Sequence, residues 1–286
     1  MCLLGFRLDR LVVVCLALLA MESACSVLAE SDRKQCETTA DCSALSGGQG
    51  DLMCIESVCQ ENPAWSCLGH PWSLPPATSG TAIVEISVRG LIDDQPMTAA
   101  NARLCRRLDL GCTDPVSPRY APNPDGIFTL QVELGFDGYV EIVAPERVPG
   151  LYVFSPPVTS DRHIPWLPLV RPAELAQFAT LGGRPLVAGR GHVMLAAYDC
   201  QLQAAPGVRL SSTDADQRTS PFYVVAKLPS LTAPGTDVSG HGGLLNLRPG
   251  PATVTGALND GRLIGTLSVV VRPDSITYTT LVPSFK

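Results

Sequence analysis

The chain is poor in charge of either sign. Charged residues make up 17% of it, and only three of its 21 basic residues are lysines: Lys34, Lys227 and Lys286. With a formal net charge of −6, it has no electrostatic footprint for nucleic acid, whose phosphates are held mainly by Lys and Arg. Aromatic residues are scarce at 6%. The apolar run from Leu11 to Met21 is about half the ~20 residues a membrane-spanning helix needs, so a retained anchor of that kind is not expected. Three catalytic signatures are missing too. There is no H-E-x-x-H helix for a zinc hydrolase, no G-x-S-x-G nucleophile elbow, and no G-x-x-x-x-G-K-[ST] phosphate loop, since "GGLLNLRPG" does not match it.

What the chain does have is glycine, proline and cysteine. Its 286 residues allow about two domains at roughly 150 residues each. A hydrophobic share of 45%, with 25 Gly and 25 Pro, points to short strands and turns rather than disorder or a helical bundle.

Residues 1–29 carry Arg7 and Arg10, then the apolar run, then small residues ending Val27-Leu28-Ala29, which is the layout of a secretory signal. Two processing routes fit: cleavage after Ala29, or lipid attachment at Cys25 after Ser23-Ala24. Glu22, where such lipid-attachment sites usually carry Leu, favours the first. Any membrane association would then be through that lipid.

Setting aside Cys2, Cys15 and Cys25, eight of the 11 cysteines remain: Cys36, Cys42, Cys54, Cys59, Cys67, Cys105, Cys112 and Cys200. An even set in an exported protein reads as disulfides. A metal cluster would need tight C-x-x-C pairs with His nearby, and none occurs before His70. Eight cysteines admit many connectivities and the sequence does not choose among them. The pairing adopted as an expectation is Cys36 with Cys54, Cys42 with Cys59, Cys105 with Cys112, and Cys67 with Cys200.

Residues 30–62 form a Cys-rich module too short and polar to bury a core without covalent staples. A Pro/Trp linker follows at 63–79, where Trp65 and Trp72 read either as a sugar-stacking face or as cover for the edge of the next domain. From Gly80 the periodicity is two. "AIVEISVRG", "ARLCRRL", "IFTLQVEL", "GYVEIVA" and "LYVFS" read as strands of a first β-sandwich over 80–158, with a hairpin around Asp137-Gly138. Residues 159–187 read as an extended connector ending in a short helix, opened by Pro172 and Glu174, with Leu175, Phe178 and Ala179 on one face and Gly182-Gly183 as the stop. Seven more strands over 188–286, with a hairpin turn at Asn259-Asp260-Gly261, make a second sandwich. The two sheet regions share an outline: a strand after Gly80 or Gly191, a short apolar strand, then a Gly turn in "NPDGIFTLQV" or "TDVSGHGGLLNLRPGPATV". The expected fold class is therefore all-β: two tandem Ig-like β-sandwich domains behind a small disulfide-rich module.

"GVRL", "TDVSG" and "LLNLRPGPATVTGAL", with the looser "NARLCRRLDLGCTDPV" to "GFDGYVEIV", resemble the carboxypeptidase regulatory-like, or transthyretin-like, β-sandwich module over about two thirds of the mature chain. The arrangement also resembles exported deltaproteobacterial proteins and lipoproteins of myxobacterial type, with a Cys-rich head before such sandwiches. This resemblance implies a non-catalytic binding or accessory role toward a protein or glycan partner, with no cofactor. Enzymes of related form, hydroxyisourate hydrolases and intradiol dioxygenases, carry a C-terminal Tyr-Arg-Gly-Ser or a paired Tyr/His iron site. This chain ends "ITYTTLVPSFK" and has no H-x-H.

Of the four histidines, His70 and His163 read as loop residues and His192 as lying at a strand end. His241, in "SGHGG" near Asp237, is the best placed for metal or proton transfer. A metal-dependent hydrolase using His241, Asp237 and His163 is thus the alternative to a binding protein. Asp214 and Asp216 could offer oxygens to Ca²⁺ but read more simply as a solvated turn.

Overall fold

In a computed structural model, the structure describes residues 36–39, 41–42, 52–55, 57–69, 79–181 and 183–283. The segment read as a secretory signal, Cys25, His70, Trp72 and most of the linker lie outside them. The chain divides into two compact units, residues 1–66 and 67–286.

In the first unit, strands β1 (Leu52–Ile55) and β2 (Val58–Glu61) pair as an antiparallel hairpin, and one 3-10 turn follows at Pro63–Trp65. Cys54 and Cys59 face each other in the ladder. Cys54 bonds to Cys36, and Cys59 bonds to Cys42. These cross-links supply what so small a polar segment cannot gain from burial. Trp65 is buried and offers no stacking face.

The second unit is built from strands β3 (Thr81–Gly90), β4 (Asn101–Arg106), β5 (Ile127–Glu133), β6 (Gly138–Val143), β7 (Gly150–Val153) and β8 (Arg162–Leu169), helix α1 (Pro172–Leu181), and strands β9 (Gly191–Ala197), β10 (Arg209–Ser212), β11 (Ser220–Val225), β12 (Leu228–Ser230), β13 (His241–Leu247), β14 (Gly250–Ala257), β15 (Leu263–Val271) and β16 (Ile276–Leu281). An eight-stranded sheet, ordered β12-β11-β13-β9-β16-β7-β6-β4, accompanies the three-stranded sheets β5-β3-β8 and β10-β14-β15.

The two halves repeat one six-strand pattern. A central strand, β3 or β9, is flanked by an antiparallel partner, β5 or β13, and a parallel one, β8 or β16. The second sheet of each pattern is the antiparallel β4-β6-β7 or β10-β14-β15. The match extends to single hydrogen bonds. Val88 N donates to Gly126 O and Met97 N to Val88 O, while Ala197 N donates to Gly240 O and Ala205 N to Ala197 O. Gly126 and Gly240 both have positive φ, +77° and +68°, and a Cβ on either would lie within 2.8 Å of the Val88 oxygen or 2.5 Å of the Ala197 oxygen. Glycine is therefore fixed in both turns by conformation and by space.

The expected tandem arrangement takes a fused form. The final strand, β16, lies parallel between β7 and β9 and joins the two halves into one sheet. Ile276 and Tyr278 enter the core of the first half, while the Thr277 hydroxyl donates to Val270 O and that of Thr279 to Val153 O. Two local expectations are corrected. First, β5 and β6 do not form a hairpin at Asp137-Gly138, because they belong to different sheets. Alternate residues of β5 are exposed, which suits an outer sheet, whereas five successive residues of β6 are buried, which requires cover on both faces. Gly138 serves close approach, since a Cβ there would sit 2.4 Å from the Cys105 oxygen. Second, the stretch read as an extended connector contains β8, which pairs in parallel with β3. Its Pro165 and Pro168 are accommodated because β8 is an edge strand. The helix and the Asn259-Asp260-Gly261 hairpin form as expected, with Gly261 at φ +90°.

Candidate functional site

The residues singled out for chemistry are dispersed. His163, on β8, faces Glu85 of β3 at 3.5 Å, in a different sheet from His241 at the start of β13. Asp237 accepts from the Ser239 amide and hydroxyl of its own loop at 2.8 and 2.6 Å and from Ala226 N of the β11–β12 turn at 2.9 Å. Those bonds hold its pKa below the usual carboxylate range, the Ser239 hydroxyl contributing most. Desolvation lowers the His241 pKa despite the attraction of Asp237. Among the described residues, three metal-ligating side chains come together only at Cys36, Cys42 and Cys59, all in disulfides. The geometry of the hydrolase alternative is absent from these positions.

His192 is buried at the β9 end with Nδ1 accepting from Asn246 N at 3.2 Å, and burial brings its pKa down to about 4. Asn246, which the pattern of the sequence does not reveal, sits in a β-bulge at φ +59°. Its side chain accepts from Val187 N and donates to the carbonyls of Pro185 and Arg218. Asp216 is held by Arg190 and Arg248, each at 2.9 Å, and by Arg218 N at 3.0 Å. Asp214 accepts from Thr253 N at 2.8 Å. These oxygens are committed to the fold, which disfavours the Ca²⁺ reading.

A second charged cluster lies where the halves meet. Glu141 of β6 is buried and receives hydrogen bonds from Arg103 of β4 and from Arg272, just after β15. Burial pushes the Glu141 pKa up, but the two guanidinium groups outweigh it and hold the carboxyl below its ordinary range. This cluster is structural: it ties β15 to the outward face of β6.

On the flank of the first half, the edges of β4 and β5 leave a cavity of about 520 Å³. Leu104, Val132 and Phe136 supply its apolar wall, and Arg106, Glu133 and the Arg107–Asp137 pair its charged rim. One lip is the loop after β4, closed by the Cys105–Cys112 disulfide. That loop is held on all sides. Arg107 donates to Asp137, to Ser268 O and to Phe154 O. Asp109 accepts from Thr113 N and Asp114 N, and its carbonyl accepts from the Tyr139 hydroxyl. Yet Leu108 stands 93% exposed at its tip, beside half-exposed Leu110 and Val116. The fixed loop thus leaves Leu108, Leu110 and Val116 as apolar surface beside the cavity. The sequence carried a signal for it in the leucines between Cys105 and Cys112.

Cys67 bonds to Cys200, so the four disulfides are the pairs set out above, and they point to an oxidising, extracytoplasmic compartment. Among the described residues, no helix is long and apolar enough to cross a membrane. No family model and no curated protein matches the chain. Among solved structures, the Bacillus anthracis TIE protein is 9% identical, with 72% of this chain and 34% of that one covered at a TM-score of 0.22. A streptococcal ancillary pilin is 11% identical (71% and 63% covered, TM-score 0.24). GBS52, the minor pilin of Streptococcus agalactiae, is 13% identical (72% and 98%, TM-score 0.22). The chain thus spans about a third of the first and under two thirds of the second. These are distant likenesses to pilin-like β-sandwich domains that identify no family or taxon, and at such overlap they carry no argument about function.

Proposed function

We propose that this chain is an exported, non-catalytic cell-envelope or secreted protein that offers β-sandwich surfaces to a protein or glycan partner, anchored through lipid at Cys25 or freely secreted after cleavage at Ala29. The transthyretin-like, carboxypeptidase regulatory-like reading of both halves belongs to this proposal, and the shared six-strand pattern supports it. The observation that carries the reading is the clamped loop holding Leu108 in solvent beside the cavity. Asp237, Asp216 and His192 spend hydrogen-bonding capacity on the fold, and His163 and His241 lie in different sheets.

The test presents the oxidised, purified chain to a glycan array and to a random-peptide display library, and separately to chromogenic ester and peptide substrates with added Zn²⁺. Retention of a ligand without turnover is expected. Turnover that disappears in His241→Ala or Asp237→Asn would instead establish the hydrolase. Intact mass decides between a polypeptide beginning after Ala29 and one carrying diacylglyceryl on Cys25.

A further inference from the structure

The molecule contains two versions of the flank that forms the cavity, and only one is filled. Aligning the halves on Val88 with Ala197 and on Gly126 with Gly240 makes β4 the counterpart of β10 and β5 the counterpart of β13. In the second half the chain inserts the β11–β12 hairpin, and β11 adds antiparallel to the outer edge of β13: Phe222 lies opposite Gly243, and Ser220 opposite Leu245. Its Tyr223 hydroxyl accepts from Leu210 N of β10 at 3.0 Å and so closes the flank. In the first half, among the described residues, no strand adds to β5, which is the end strand of its sheet. The counterpart of Leu210 is Leu104, and its N–H is answered by the Ser117 hydroxyl at 3.1 Å. The place that β11 occupies in the second half is the cavity and open edge of the first.

The ladder shows which backbone groups are left over. Val88 N donates to Gly126 O, and Leu134 N donates to Gly80 O, so the even-numbered residues of β5 bond to β3. Antiparallel pairing alternates, so the N–H and C=O groups of Thr129 and Gln131 point to the free edge. These two residues are the counterparts of Gly243 and Leu245, the positions through which β13 receives β11.

We infer that the free edge of β5 binds an extended segment of a partner polypeptide, which adds antiparallel as a fourth strand and seats an apolar side chain in the cavity. The claim rests on the binding-protein reading above and narrows it to a polypeptide. Main-chain bonds to Thr129 and Gln131 supply register, and Leu104, Val132 and Phe136 receive the anchor. Leu108 and Val116 cover the anchor from the side. Arg106 pairs only at 3.5 Å with an exposed Asp114, and Glu133 makes no ion pair among the described residues, so an acidic and a basic residue flanking the anchor complete the match.

The experiment selects binders to the oxidised full chain from a random-peptide display library, then follows backbone amide exchange with and without the best selected peptide. Thr129 and Gln131 amides are expected to exchange fast in the free protein and at least ~tenfold slower with peptide bound, as for newly paired strand amides. Thr129→Pro removes an edge donor without breaking the β3 ladder and is expected to weaken binding about tenfold or more, as is Leu108→Asp at the anchor site. Gln131→Pro serves the same purpose if thermal unfolding shows that Thr129→Pro is misfolded. Unprotected Thr129 and Gln131 in the complex, or full binding by a folded proline variant, overturns the inference. So does self-association through this edge with no peptide selected. Glycan binding without peptide binding would overturn the polypeptide assignment and leave the binding-protein reading standing, whereas no ligand of either kind would remove both.

Discussion

The two halves of the larger unit share strand order, turn glycines and even the hydrogen bonds at the end of the central strand, but they close their flanks by different means. The second half spends extra residues on the β11–β12 hairpin, pads it with α1, and brings Phe178 edge-on to Phe222 at 4.9 Å. The first half spends a disulfide and a ring of Arg107 and Asp109 hydrogen bonds on the loop from Cys105 to Cys112, and among the described residues leaves β5 uncovered. The same scaffold thus yields one sealed edge and one prepared edge. An open strand edge invites unwanted pairing unless it is managed, and here exposed Gln131 and Glu133 stand along it while the neighbouring loop is held fixed.

The seam between the halves offers the largest effect. Glu141→Gln strips the partner from Arg103 and Arg272 and should cost about 3 to 5 kcal/mol, read by chemical denaturation. Asp216→Asn, whose carboxylate also holds two arginines but lies near solvent within the second half alone, should cost clearly less. Equal losses would mean that the seam is no more buried than the surface.

Next come the counterpart core leucines, Leu130 in β5 and Leu244 in β13, which are buried to the same degree. Truncating either to Ala should cost about 2 to 5 kcal/mol. Because β16 is shared, each variant should still unfold the larger unit in one calorimetric transition. Two separated transitions, with each variant moving a different one, would show that the halves behave as independent domains.

A pH effect should belong to the second half. His192 has a folded pKa of about 4 against an ordinary value of 6.5, so in that window the unfolded chain binds the extra proton. Its contribution is therefore fully present above pH 6.5 and is lost as pH falls toward 4, by about 3 kcal/mol at most. His192→Gln should flatten that part of the stability profile relative to the parent chain, while the carboxylates continue to drive acid unfolding in both. An unchanged slope would place the titration elsewhere. The smallest expected effect is in the first half, where replacing Cys105 and Cys112 together by Ser should cost about 2 kcal/mol and speed amide exchange in the 105–112 loop. Exchange as slow as in the parent would mean that the hydrogen bonds of Arg107 and Asp109 fix the loop without the disulfide.

Alternation made β3 and β5 legible as strands, and Pro172, Glu174 and Gly183 bounded the helix, because those signals are local. The misreading at Asp137-Gly138 has the opposite origin. An Asp-Gly pair between two strand-like runs looks the same whether the chain turns back or crosses to another sheet, and only the two-sided burial of β6 separates the cases. The site was the least legible part. Leu108 and Leu110 could be seen inside a cysteine loop, but their exposure depends on Arg107, whose partners Phe154 and Ser268 are far away in sequence. Asn246 gave no sign at all, since its role comes from a bulge in β13.

By itself the sequence determined a β-rich chain held by disulfides, with repeating turn glycines, because period, backbone freedom and thiol count are properties of neighbouring residues. Tertiary structure alone decided that β16 would weld two sandwiches into one sheet and that, among the described residues, one of two equivalent edges would be left unpaired. Strand partners are chosen by which faces must be buried together, and that choice is made between segments more than a hundred residues apart, as in the pairing of β7 with β16.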